Sequence, residues 1–310
     1  MKLIISVHGM MMDRLQTMSV FVCVAEESGF AAAARRLNMS APTVTRAISE
    51  LENLLGARLL HRTTRSLRLT EAGQRYLLDC RRILSEIEEA NLNAAGIHSA
   101  PRGVVSVTAS VPFGRMVLMP IMFELLDKYP EIQVSYQLHD RIVHLLEEGI
   151  DVAIRIAELP DSTFAAVRVG CVRRVLCASP TYLKKHGMPK HPRELADHRL
   201  IDFVNMAPGG EWQFHHDGEI YSHKPNSQLH VNKADVAIAG TVSGRGITRL
   251  FSYMISSELS NGELVAVLQE YEPPPLPVHV MHKELGQTSA RVRAVVDHCV
   301  EQLRNHHALK

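Results

Sequence analysis

The sequence predicts two domains of different class, a small all-α-rich domain at the amino terminus and a larger, two-lobed α/β domain after it. Three observations predict this. Apolar residues recur at helical spacing up to about Ala95. A turn-rich hinge, Ser99-Ala100-Pro101-Arg102-Gly103, follows. Beyond it, short β-rich runs alternate with helical ones through Leu250, and the chain closes on one more strand and a helix. A length of 310 residues suits two cores at about 150 residues per domain.

Composition narrows the function. Lys plus Arg is 34 and Asp plus Glu is 33, so any surface for nucleic acid has to be local. A hydrophobic share of 46% and a charged share of 22% argue against disorder. The most apolar stretch, residues 104–126, is interrupted by Pro112, Gly114, Arg115 and Pro120, which argues against a membrane span. The opening MKLIISVHG has no cleavage site of a signal peptide, and residues 1–12 are expected to be a disordered extension. Five cysteines, an odd number without a C-x-x-C, suit free thiols in a reducing compartment, hence the cytoplasm.

Leu15, Met18, Val22 and Ala25 give a first helix near residues 13–27, broken by Gly29. An Ala-rich helix follows over residues 30–37. Asn38-Met39-Ser40 makes a tight turn, with Ser40 as N-cap and Pro42 in the first turn of a third helix. That helix runs to Leu55 and stops at Gly56, a left-handed position. Val44, Ile48, Leu51 and Leu55 form its inward stripe, while Pro42, Thr43, Thr45, Arg46 and Ser49 face outward. Small hydroxyls and one Arg, with no bulky apolar group, suit a helix that enters a major groove. An ordinary solvated face is the alternative.

The next segment favours the groove. Residues 59–62, 63–66 and 67–70 read as strand, turn, strand, with Arg62, Arg65 and Arg68 clustered there. Between Ala31 and Arg82 stand ten arginines against four acids, a local excess in a neutral chain. Helix, tight turn, helix and an Arg-tipped wing make a winged helix-turn-helix, placed at residues 13–70. On the wing, Arg62, Thr64 and Arg65 suit phosphate contact or entry into the minor groove. Thr70 caps a fourth helix from Glu71 to about Ala95, within a linker of residues 71–97. Leu77, Leu84 and Asn91, with Cys80, Ile87 and Ala94, keep a seven-residue repeat that Tyr76, Ile83 and Ala90 widen. So broad a stripe suits packing on its own copy in a dimer, on its own first helix, or on both. Cys80 at that seam is placed to cross-link two chains on oxidation.

The stretch AAAARRLNMSAPTVTRAISELENLLGARLLHRTTRSLRLTEAG, residues 31–73, resembles the DNA-binding domain of LysR-type transcriptional regulators, and the likeness runs from Met12 to about Ala95. Ala31 stands where those proteins often carry Thr, and Ala41 where they often carry Gln, so the resemblance carries no operator sequence with it.

In residues 102–310, strands are expected over 104–108, 132–138 and 152–156 and helices over 113–129 and 142–148, an alternation that predicts a parallel sheet. A long β segment, 167–178, crosses to a second lobe, and 278–281 with a helix over 287–306 returns to the first. Lobe I is thus expected over about 102–170 and 275–310, and lobe II over about 171–274. HDRIVHLLEEGIDVAIRIAELPDS, residues 139–162, and the glycine turn at 242–247 are similar to the LysR effector domain, itself periplasmic-binding-protein-like. The resemblance implies a ligand-responsive regulator and not an enzyme. It implies a homodimer, and a homotetramer as a dimer of dimers, on pseudo-palindromic double-stranded DNA. RNA polymerase stays open as a further partner. An α/β enzyme or binding protein with an appended helix-turn-helix domain is the alternative, but no nucleophile, base and orienter stand together.

Ligands of open α/β sheets bind beyond the carboxyl ends of strands. Those ends are Ser110, His139 and Arg155 in the first lobe and Phe203 and Asn232 in the second. Ser110 precedes a helix whose free N–H groups favour an anion, His139 and Arg155 add positive charge, and Phe203 supplies an apolar wall. The combination predicts a small carboxylate effector; a local Arg155–Glu158 pair is the alternative. No cofactor or metal is expected. Gly244-Arg245-Gly246 does not open a helix, and the histidine pairs lack an H-E-x-x-H context. Cys171 and Cys177, six apart on one expected strand, would share a face yet stand about 20 Å apart, too far for a disulfide.

Overall fold

The structure, a computed structural model, describes residues 13–62, 67–94, 100–141, 143, 145, 148–159, 164–206, 210–283 and 289–310. The expected extension, residues 1–12, and the wing turn, residues 63–66, lie outside them, as does most of the helix expected over 142–148. The chain forms two compact units, Met1–Val104 and Val105–Lys310.

In the first unit, helices α1 (Arg14–Glu27), α2 (Phe30–Arg36) and α3 (Ala41–Leu55) bury Phe21, Val24, Val44 and Ile48 completely. Gly29, expected to break α1, is extended at φ −174°; Ser28 takes the left-handed turn instead, at φ 51°. The α2–α3 turn passes through Asn38 at φ 53°. Ser40 Oγ accepts from the Thr43 N–H at 3.2 Å and opens α3, and Gly56 closes it at φ 65°. Strands β1 (Leu60–Arg62) and β2 (Leu67–Leu69) pair antiparallel. Helix α4 (Glu71–Ala94) starts at Thr70, whose Oγ1 accepts from the Gly73 N–H at 2.9 Å and donates to the Arg58 carbonyl at 2.7 Å. A Cβ on Gly73 would stand 2.0 Å from the Leu59 carbonyl oxygen, so only glycine lets α4 lie this close to the wing.

The first half of the α4 stripe is used within the chain. Cys80 is fully buried, Tyr76 lies 5.8 Å from Phe21, and Leu77, Ile83 and Leu84 cover the same core. The expected cross-link through Cys80 is therefore corrected: the thiol is enclosed, and burial pushes its pKa up to about 12. Burial does the same to Cys177 and Cys299, each pushed up to about 12, and raises Cys23. At pH 8 these groups are protonated and unreactive. A thiol reagent is expected to modify Cys171, the half-buried one, and to reach the other four only on unfolding. Prompt reaction of a second thiol in the native protein contradicts this.

The second unit holds two five-stranded sheets. Strand β3 (Gly103–Ala109) leads into α5 (Val111–Phe113), a π-turn (Gly114–Leu118) and α6 (Met119–Lys128), which together replace the single helix expected over 113–129. Pro120 has no N–H to give, and its ring crowds the carbonyl of Met116, which accounts for the widened turn before it. Then come β4 (Ile132–Leu138), β5 (Val152–Ile156), β6 (Phe164–Val172), β7 (Arg174–Ala178), α7 (Pro180–His186), β8 (Leu200–Phe203), β9 (Trp212–His216) and β10 (Glu219–His223). The chain continues through β11 (Leu229–Val231), α8 (Ala234–Val242), β12 (Ile247–Phe251), α9 (Ser256–Ser260), β13 (Val265–Val267), β14 (Leu276–Lys283) and α10 (Ala290–Asn305).

The sheet orders are β4-β3-β5-β14-β6 and β11-β8-β12-β7-β13, with β9 and β10 as a separate hairpin. The sheets are mixed, which corrects the parallel expectation. β14 runs antiparallel to β5 and β6, and β7 antiparallel to β12 and β13. The cause is the crossing: β6 and β7 leave one lobe for the other and β14 comes back, without a crossover helix to set them parallel. The long β segment expected over 167–178 is two strands parted at Arg173, one in each sheet. Cys171 and Cys177 therefore lie in different sheets and share no face. Among the described residues, no single helix is long and apolar enough to cross a membrane.

Candidate DNA interface and effector cavity

On α3 the outward residues Pro42, Thr43 and Thr45 are exposed, and Arg46 shows 80% of its side chain. Arg46 Nε lies 3.5 Å from Glu50 Oε1, one turn on. An exposed pair of this kind contributes at most about 1 kcal/mol and yields readily to a phosphate or a base edge. Thr45 Oγ1 donates to the Ala41 carbonyl at 2.9 Å, which leaves its oxygen as an acceptor toward solvent. On the wing, Thr64 and Arg65 lie outside the described residues, as does the side chain of Arg62. Several of the ten arginines are met by acids: Arg36 by Glu26 and Glu27, Arg58 by Glu52, Arg75 by Glu71, and Arg81 by Glu26. Arg35 and Arg68 are exposed and make no ion pair among the described residues.

Sequence reasoning missed Glu52. It is 6% exposed, and its Oε1 accepts from the N–H of Leu59 at 2.9 Å and of Leu60 at 3.1 Å. This carboxylate ties α3 to the root of the wing and so sets these two elements against each other. The signal was present: position 52 falls four residues after Ile48 and three before Leu55, on the inward stripe.

In the second unit, a cavity of about 390 Å³ is lined by Ser110, His139, Arg155 and Phe203, four of the five residues read from the strand ends. Asn232 does not line it; its carbonyl accepts at 3.2 Å from Asn205 Nδ2, and Asn205 does. Ile154, Ile156, Phe251 and Met254 add apolar wall. Arg155 donates to the Val143 carbonyl and makes no ion pair with Glu158, which corrects that alternative. Burial lowers its pKa. At the Ser110 end the N–H groups expected to be free are largely used, a second correction. Val111 N–H donates to Asp140 Oδ1 at 3.0 Å, and Pro112 has no N–H. Asp140, which also lines the cavity, reaches across to the other lobe, with Oδ2 4.0 Å from Nζ of Lys233, the residue before α8.

Residues 15–74 match the family of bacterial regulatory helix-turn-helix proteins of the lysR type, and residues 98–304 match the LysR substrate binding domain. The chain belongs to the LysR family. This LysR-type protein is 31% identical over 287 residues to the transcriptional activator AaeR of Escherichia coli K12, covering 92% of this chain and 93% of that one. Its fold is similar to that of CrgA, a LysR-type transcriptional regulator from Neisseria meningitidis, with a TM-score of 0.59 and 31% identity over 93% of this chain and 98% of that one. It is also similar to full-length AphB, a Vibrio cholerae virulence activator, at a TM-score of 0.61 and 26% identity over 93% and 99% of the two chains. The protein is a DNA-binding transcriptional regulator with a helix-turn-helix domain and a periplasmic-binding-protein-like effector domain. The family consists of regulators and not of enzymes, so the enzyme alternative falls.

Proposed function

We propose that this LysR-type regulator binds a pseudo-palindromic operator as a homodimer, paired further into a homotetramer, and answers to a small carboxylate held between the lobes of its effector domain. The observation that carries the effector reading is Arg155. It is a partly desolvated cation whose named partner is a carbonyl, and it shares a cavity with His139 and the apolar walls of Phe203 and Phe251. A partly desolvated charge that meets no counter-charge among the described residues gains most from a ligand that brings one. The test is a thermal-shift screen of metabolites against the full chain, repeated with Arg155→Met. Carboxylates are expected to stabilise the wild type and not the variant. Stabilisation of both proteins by the same uncharged compounds contradicts the reading.

Closure of the lobes on the ligand would change the angle between paired DNA-binding domains, which requires the effector to bind one quaternary state better. On DNA, Pro42, Thr43, Thr45 and Arg46 face the major groove, and Arg62, Thr64 and Arg65 take phosphate or the minor groove. Arg68 and Arg35, exposed and without an ion pair among the described residues, add phosphate contacts. The cytoplasm is the compartment.

Uncovered apolar side chains support self-association. Leu78 on α4 is 45% exposed, and Phe123 on α6 is 60% exposed. Leu78 is the seam residue to test, because Leu84, on the expected stripe, covers the chain's own core. Leu78→Asp is expected to yield monomers in sedimentation at concentrations where the wild type is dimeric or larger. An unchanged sedimentation coefficient moves the seam elsewhere.

A further inference from the structure

We infer that the effector carries a hydrogen-bond donor, a hydroxyl or an ammonium group, apart from its carboxylate, and that Asp140 receives it. The inference rests on the carboxylate reading of the same cavity. Arg155 supplies positive charge and Arg141 is met by Glu148, but the cavity also contains an acid. A carboxylate has about four acceptor positions. Val111 N–H uses one on Asp140, and Lys233 stands 4.0 Å away, at the edge of contact, so capacity remains. The Asp140 side chain is 20% exposed, and a ligand that fills the cavity removes its remaining water.

Three kinds of ligand end then differ in outcome. An apolar end strips water from the carboxylate and replaces it with nothing. A second carboxylate places like charges together. A hydroxyl or ammonium restores the lost hydrogen bond, and an ammonium also meets the charge. Asp140 is thus a specificity-determining residue that selects hydroxy- or aminocarboxylates. Because Lys233 belongs to the opposite lobe, occupancy of Asp140 also bears on a contact between the lobes.

The test is calorimetry on the full chain with four probes on one apolar ring that suits Phe203 and Phe251: phenylacetate, 4-hydroxyphenylacetate, 4-(aminomethyl)phenylacetate and 1,4-phenylenediacetate. Each is run on wild type and on Asp140→Asn, which keeps an acceptor for Val111 N–H and so preserves the local turn. In the wild type a donor-bearing probe is expected to bind about tenfold or more tighter than phenylacetate, with the diacid weakest. The tighter of hydroxyl and ammonium names the class. In Asp140→Asn the ammonium advantage is expected to fall to about threefold or less, and the diacid to bind as well as phenylacetate. Equal binding of all four probes by both proteins removes the role of Asp140 and leaves the carboxylate reading standing. Absence of binding by every probe at millimolar concentration overturns the inference, and the metabolite screen then decides the carboxylate reading separately.

Discussion

Glu52→Ala is expected to lower the unfolding midpoint of the amino-terminal unit by more than about 10 °C and to abolish sequence-specific DNA binding. The substitution leaves the buried N–H groups of Leu59 and Leu60 without an acceptor. Each orphaned donor costs about 1–3 kcal/mol, so the pair costs about 4 kcal/mol, a large part of the roughly 5–15 kcal/mol that holds a domain together. Glu52→Gln keeps an acceptor oxygen and is the control, expected to lose much less. Calorimetric unfolding of both variants checks this. A midpoint for Glu52→Ala within about 2 °C of wild type shows that the wing root does not depend on this carboxylate.

Arg46→Ala is expected to weaken operator binding by about 1–3 kcal/mol, roughly 5- to 150-fold, and to relax base preference at one position of each half-site. The fold should not suffer, because the Arg46–Glu50 pair is exposed and worth at most about 1 kcal/mol. Affinity for random DNA should change little by comparison. If both affinities fall equally, Arg46 touches phosphate and not a base. If neither falls, α3 does not present this face to DNA.

Much of the fold was legible in the sequence. The strands at 132–138 and 152–156 stand where their apolar runs placed them, and Ser40 and Gly56 bound α3 as cap chemistry requires. The misses have local causes. Ser28 and Gly29 are neighbours, and glycine's freedom drew attention from the residue that takes the left-handed turn. Arg173 carries no Gly or Pro signal, so the break between β6 and β7 was invisible, and the pairing of Cys171 with Cys177 on one face fell with it. Strand direction is a property of the crossings between lobes, which no local pattern encodes.

The sites divide in the same way. The strand-end rule brought Ser110, His139, Arg155 and Phe203 to one cavity without a contact being known. It overlooked Asp140, next to His139 in sequence, because an acid in the loop after a strand reads as a solvated residue. Its bond to Val111 N–H depends on a loop meeting a helix start 29 residues away in the chain. Glu52 was counted among the acids opposing the arginines, although its place on the inward stripe marked it as buried.

The most direct test of the account is selection of random-sequence duplex DNA by the full chain, followed by affinity measurement on the enriched sequence and on an unselected one. The account predicts enrichment of a pseudo-palindrome whose half-sites lie about 10 base pairs or a multiple apart, bound about 10³-fold or more tighter than unselected DNA at physiological salt. Equal affinity for the selected and unselected duplexes would contradict it.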